Sequence, residues 1–179
     1  MNKALLVLDM QKDYIGEHAK MSVAKQQITP LLNSVNKVIS ECENVGFSVI
    51  YIRNEFEAKQ IIRNFLRKQT GIKGSNGAEL DDRLLMVGDT YFSKNIADAM
   101  SNRKLIEFIE MKGITDLWIV GVFAEGCIMA TVKEALRKKY TVTVIEDGIA
   151  SASDQKRLAS IQKLRLMGVE LVHSSNLVT

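Results

Sequence analysis

A chain of 179 residues that is 46% hydrophobic and 25% charged can bury one substantial core, and its composition is not that of a disordered segment. Its formal charge of +3 is spread through stretches of mixed sign, and short clusters such as Arg137-Lys138-Lys139 suit a solvated helix end, so neither nucleic acid nor a membrane is an expected partner. Cys42 and Cys127 lie far apart without C-x-x-C spacing and no apolar run reaches spanning length or resembles a secretory signal, so a single domain over residues 1–179, in the reducing cytoplasm, is expected.

Ala4 to Leu8 is a continuous apolar run closed by Asp9, the pattern of a strand buried on both faces with a carboxylate at its C-terminal end. Thr29-Pro30 predicts a helix start with proline in the first turn. Leu31, Leu32, Val35, Val38 and Ile39 carry the apolar face until Gly46 ends it. Ser48 to Ile52 predicts a second strand, and Ile61, Ile62, Phe65 and Leu66 a short helix. Gly71, Gly74 and Gly77 follow in a polar stretch with no strand before them, which is turn chemistry rather than a dinucleotide fingerprint. Thr90 to Lys94 predicts a third strand, and Leu105, Phe108, Ile109 and Met111 a helix ending at Gly113.

Leu117 to Val122 is the next apolar strand. It leads through Phe123-Ala124-Glu125-Gly126 into an amphipathic helix that begins near Cys127 and shows Ile128, Met129, Val132, Ala135 and Leu136 on one face. Val142 to Ile145 predicts a fifth strand, Leu158, Ile161 and Leu164 a helix, and Val169 to Val172 a sixth strand. Strands alternating with helices imply an α/β fold: a doubly wound, mostly parallel sheet with helices on both faces. Ligands bind such sheets beyond the C-terminal strand edge, where the strand order reverses. Asp9, Lys94 and Cys127 all belong to that edge.

Position alone leaves Cys127 open between a nucleophile and a small buried apolar residue. The company of Asp9 and Lys94 favours the nucleophile. The unpaired N–H groups of a first helical turn and the Lys94 ammonium are expected to draw the thiol below its ordinary pKa, toward the thiolate. Cys42, on the first long helix, is expected to be inert.

Ala4-Leu5-Leu6-Val7-Leu8-Asp9-Met10-Gln11, Phe92-Ser93-Lys94, and Gly121-Val122 with Cys127-Ile128-x-Ala130-Thr131-x-x-x-Ala135 together resemble the isochorismatase-like cysteine hydrolases. Tyr140 to Asp147 continues the similarity, which covers nearly the whole chain. The resemblance implies a six-stranded parallel sheet and an Asp-Lys-Cys triad at Asp9, Lys94 and Cys127. It also implies a cis peptide at Val122-Phe123 and a homo-oligomer, dimer or tetramer. Family members often carry Thr-Asp where this chain has Ala124-Glu125, and often a smaller residue than Phe123. The metal-bearing nicotinamidase branch places an Asp and closely spaced histidines after the second strand. Here that stretch reads Tyr51-Ile52-Arg53-Asn54-Glu55-Phe56, and His18 and His173 are isolated from it, so neither a metal nor another cofactor is expected.

The implied activity is hydrolysis of a C–N bond in a small amide, carbamoyl or ureido compound through a Cys127 thioester, with Asp9 moving the proton. The N–H groups of Phe123 and Cys127 would form the oxyanion hole. Tyr14 and Phe123 either line the substrate cleft, as the resemblance implies, or cover apolar strand ends. Gln11 and Glu125 are further candidates for substrate contact; for Gln11 the favoured reading is a brace of the Asp9 turn, and for Glu125 acceptance from helical N–H groups stays open beside it. Two other functions stay open: vinyl-ether hydrolysis of the isochorismatase type, using Asp9 without the thiol, and a non-catalytic binding or redox-sensing domain that oxidises Cys127.

Overall fold

The computed structural model describes residues 2–177. Its strands are β1 (Lys3–Leu8), β2 (Ser48–Asn54), β3 (Tyr91–Lys94), β4 (Asp116–Val122), β5 (Thr141–Ala150) and β6 (Glu170–Val172). Between them run helices α1 (Lys12–Ile15), α2 (Lys25–Asn44), α3 (Ile61–Leu66), α4 (Arg103–Met111), α5 (Met129–Arg137) and α6 (Asp154–Leu166). The strands form one six-stranded sheet in the order β3-β2-β1-β4-β5-β6, and every neighbouring pair is parallel. Chain order reverses between β1 and β4, so the crevice of this doubly wound sheet opens between the ends of those two strands.

Period-two alternation within the apolar runs sends side chains to two cores. Leu6, Leu8, Ile50, Ile52, Leu117 and Ile119 pack toward Leu105 and Ile109 of α4, Val132 and Ala135 of α5, and Ile161 and Leu164 of α6. Leu5, Val7, Tyr51, Val120 and Val122 pack toward Leu31, Val35, Val38 and Ile39 of α2. A strand covered on both faces has no reason to alternate polar with apolar, which is why these strands read as unbroken runs.

The boundary of α2 differs from the sequence expectation. The helix starts at Lys25, and Pro30 lies inside it rather than in its first turn. Tertiary contacts anchor the extra turn: Ala24 N–H donates to the Ser151 carbonyl at 2.9 Å, and the Gln27 amide accepts from Ser151 N–H and donates to Asp154. These bonds offset the one helical hydrogen bond that proline removes. β5 also runs past its apolar segment to Ala150. A register irregularity between Ile119 and Gly121 absorbs Glu146-Asp147-Gly148, and the Arg157 guanidinium caps the carbonyls of Glu146 and Ile149.

One glycine sets the spacing of the two strands that flank the crevice. Gly121 pairs with Leu8 and has φ +120°, and a Cβ built there collides with the Leu8 carbonyl. No other residue lets β4 approach β1 this closely just before their functional ends.

Candidate active site

Asp9 directly follows β1. Its backbone turns out of the strand at φ 56°, and its N–H donates to the Ile52 carbonyl at 2.8 Å. That turn directs the carboxylate inward, where it is almost fully buried. Lys94 ends β3, and its side chain is fully buried as well. Its ammonium donates to Asp9 Oδ2 at 2.8 Å, to Asn54 Oδ1 at 2.7 Å and to Cys127 Sγ at 3.2 Å. Residues distant in sequence thus meet around one cation. Of Asp9, Lys94 and Cys127, the last alone is only half-buried.

Cys127 does not open a regular α-helix as its sequence context suggested. It lies in a π-helical turn, Ala124–Ile128, that precedes α5, and the N–H groups of Gly126 and Ile128 both bond the Phe123 carbonyl. The Val122-Phe123 peptide that leads into this turn is cis.

The electrostatics overturn the expectation of a thiolate at rest. Burial, followed by the Asp9 charge, pushes the Cys127 thiol up to about 12, although Lys94 and the Asn54 amide pull the other way. For Lys94, burial disfavours the ammonium, but the Asp9 charge and the Cys127 sulfur outweigh it and raise its pKa. The resting cluster is therefore an ammonium–carboxylate pair beside a neutral thiol. Asp9 Oδ1 is buried and has no hydrogen-bond partner among the described residues, so the carboxylate keeps one acceptor for a proton. Iodoacetamide is accordingly expected to modify Cys127 more slowly than free cysteine at about pH 7, with a rate still climbing beyond about pH 9; a plateau near neutrality would mean a thiolate. Burial and the neighbouring Glu41 likewise push the Cys42 thiol up to about 12, as suits a buried residue on α2.

Asn54 is the member of the cluster that sequence reasoning missed. It ends β2 opposite Lys94 in the β2–β3 register, and its Nδ2 points to Cys127 Sγ at 3.7 Å. The available signal was its place at a strand's C-terminal end, obscured by polar neighbours on both sides.

Gln11 is a brace, the reading favoured for it over substrate contact, although its side chain braces the end of β2 rather than the Asp9 turn. It is fully buried, its Oε1 accepts from Asn54 N–H at 2.8 Å, and its Nε2 donates to the carbonyls of Asn54 and Ala78 at 2.9 and 2.7 Å. The whole amide is used in fixing the β2 end and the 76–78 turn, which leaves nothing for a ligand. Glu125 is exposed and turned toward the start of α6, where it accepts from Ala152 N–H at 3.4 Å and lies 3.6 Å from the Lys156 ammonium.

Tyr14 is buried and meets the half-buried Phe123 edge-on, with ring centroids 5.5 Å apart. Burial and the charge of Asp9 raise the Tyr14 phenol well above its ordinary pKa, so it is present as a neutral donor. Asp13 accepts from Gly71 N–H at 2.9 Å and ties the glycine-containing connection to α1. Among the described residues, no group of three or more His, Cys, Asp or Glu side chains is placed to hold a metal ion. No described helix is long and apolar enough to cross a membrane.

Comparison with known proteins connects this geometry to a family. The model of the isochorismatase domain matches residues 3–175. A protein of Arabidopsis thaliana described as a probable inactive nicotinamidase is 34% identical over 181 residues, covering 94% of this chain and 91% of its own length. The ureidoacrylate amidohydrolase of Yersinia enterocolitica is 22% identical over 191 residues, with coverage of 93% and 81%. In three dimensions, an isochorismatase-like hydrolase from Alkaliphilus metalliredigens superposes with a TM-score of 0.89 at 19% identity, covering 98% of this chain and 96% of that one.

Proposed function

The chain belongs to the isochorismatase family of hydrolases, and from that premise we propose that it cleaves the C–N bond of a small amide, carbamoyl or ureido compound through a thioester on Cys127. One observation carries the reading: a single buried ammonium bonds both the Asp9 carboxylate and the Cys127 sulfur, while the second carboxylate oxygen is vacant.

A thiol held neutral until substrate arrives needs a base at the moment of attack. Asp9 accepts the Sγ proton as sulfur bonds the carbonyl carbon, and the carbonyl electron pair moves onto oxygen. Backbone N–H groups of Cys127 and Phe123 receive that oxyanion. When the tetrahedral adduct collapses, the C–N bond breaks and Asp9 returns its proton to the departing nitrogen. Water then gives a proton to Asp9, attacks the thioester carbonyl, and releases the acid as the proton goes back to sulfur. Lys94 stays an ammonium throughout, compensating charge on the carboxylate before attack and on sulfur as each C–S bond forms or breaks. Asn54 holds the ammonium in line, and Tyr14 with Phe123 forms an aromatic wall that suits a compact substrate.

The amidohydrolase and the nicotinamidase named among the relatives support an amide-type bond. The decisive experiment offers purified protein a panel of carboxamides, N-carbamoyl amino acids and ureido acids and follows ammonia or amine release. Turnover of at least one class is expected, and turnover of isochorismate alone would refute the amide reading.

The raised thiol favours one competing reading in particular, a vinyl-ether hydrolysis in which Asp9 protonates the substrate and the sulfur is a bystander. Its signature is activity that survives Cys127→Ala and is lost in Asp9→Asn. The redox-sensing alternative has its own signature: no hydrolysis of any class in the panel, together with peroxide-dependent oxidation of Cys127.

A further inference from the structure

Among the described residues, two donors reach Cys127 Sγ: the Lys94 ammonium at 3.2 Å and Asn54 Nδ2 at 3.7 Å. They are not equivalent. The three protons of an ammonium are all placed here, on Asp9 Oδ2, Asn54 Oδ1 and the sulfur. Lys94 therefore shares one charge between a carboxylate and a sulfur, and the charge on Asp9 opposes an anion on the sulfur beside it. Asn54 Nδ2 carries no such division, since its one acceptor among the described residues is Sγ. The amide can take only one orientation. Lys94 Nζ lies 2.7 Å from its near end, an ammonium can only donate, and the carbonyl oxygen must face it, which turns the NH2 group to the sulfur. Gln11 locks the residue in that pose, with Oε1 on the Asn54 N–H and Nε2 on the Asn54 carbonyl, and Asn54 is itself buried.

Aspartate, the isostere of asparagine, shows by contrast what the amide contributes. An aspartate in this place would keep an oxygen on Lys94, but it would set a second carboxylate against a single ammonium and aim an oxygen at the sulfur. Both changes oppose an anion on Sγ. Asparagine does the reverse: its oxygen holds the cation, and its N–H favours the sulfur anion over the neutral thiol. That preference is used twice in a thioester cycle. Asp9 takes the thiol proton as sulfur attacks; later the C–S bond breaks, its electron pair returns to sulfur, and the proton that water left on Asp9 follows. A donor already fixed on the sulfur is in place for both events.

We propose that Asn54 is a catalytic residue, donating from Nδ2 to the anionic sulfur of Cys127 as the thioester forms and again as it breaks, with Gln11 as the positioning residue behind it. This role rests on the reading of Cys127 as nucleophile, but its first test needs no substrate, so its failure is distinct from a failure of the amide panel. Iodoacetamide alkylation of Cys127 is followed by intact mass at about pH 8 in a Cys42→Ala background, where the rate tracks the thiolate fraction. Asn54→Asp is expected to be alkylated at least about tenfold more slowly than the parent. Asn54→Ser, which adds no charge to the interior and is too short to reach the sulfur, is expected to be about threefold slower. A merely structural role predicts the opposite sign, because a loosened site exposes the thiol and speeds alkylation. On the substrate that the panel identifies, Asn54→Asp is expected to lower kcat at least about a hundredfold with KM within about threefold. Folded variants alkylated as fast as the parent, or faster, overturn the proposal. A loss of turnover carried by KM, with alkylation unchanged, overturns it in favour of a substrate contact.

Discussion

Cys127→Ala is expected to lower kcat/KM by at least about 10⁴-fold on whichever amide or ureide the panel identifies, while Cys42→Ala stays within about twofold of the parent. The difference follows from placement. Cys127 Sγ lies 3.2 Å from the Lys94 ammonium and faces a base with a vacant oxygen, whereas Cys42 is buried on α2 among Val38, Ile39 and other residues of the opposite core. Residues that move one proton as a unit fail together, so Asp9→Asn should cost nearly as much as Cys127→Ala, and the double variant little more than either. Steady-state kinetics of the parent and the four variants checks this. Equal activity in Cys127→Ala and Cys42→Ala contradicts the nucleophile assignment.

Lys94→Met is expected to destabilise the fold by about 3–5 kcal/mol, because it leaves the Asp9 carboxylate buried without its cation. Replacing both members, as Asp9→Asn/Lys94→Met, should restore stability to within about 1 kcal/mol of the parent, while activity stays lost. Urea denaturation near neutral pH measures both. If the single variant is as stable as the parent, the pair is not the desolvated unit described here. The alkaline side gives a related check. Lys94 and Cys127 both hold their protons more tightly in the folded chain than their ordinary values imply. The stabilisation from those shifts is whole below the ordinary values and fades as pH rises through the folded ones. Stability should therefore fall above about pH 9, and Cys127→Ala should fall less steeply than the parent.

The fold was legible because parallel strands covered on both faces leave continuous apolar runs, and α/β alternation limits the ways of joining them. The same logic located Asp9 just after β1 and Lys94 at the end of β3, with Cys127 in the turn that follows β4. Asn54 obeys the same rule but sits within Arg53-Asn54-Glu55, where only its register opposite Lys94 distinguishes it from polar loop. The bracing role of Gln11 was legible, but its partner was not, since nothing local says that an amide will close on the backbone of β2 rather than on the Asp9 turn.

The resting state of the sulfur was misjudged for a physical reason. Helix and cation are visible in sequence, but burial and a carboxylate sharing the same ammonium are tertiary, and they dominate. α3 shows the converse limit: helical period marks an apolar face without saying whether it turns inward, and here it turns out.

Intact-mass spectrometry of the protein quenched in acid during turnover addresses the central claim most directly. A mass increase equal to the acyl portion of the substrate, mapped by peptide analysis to Cys127 and absent from Cys127→Ala, is the predicted result. Sustained amide hydrolysis with Cys127 unmodified at every quench time, and undiminished in Cys127→Ala, would contradict it.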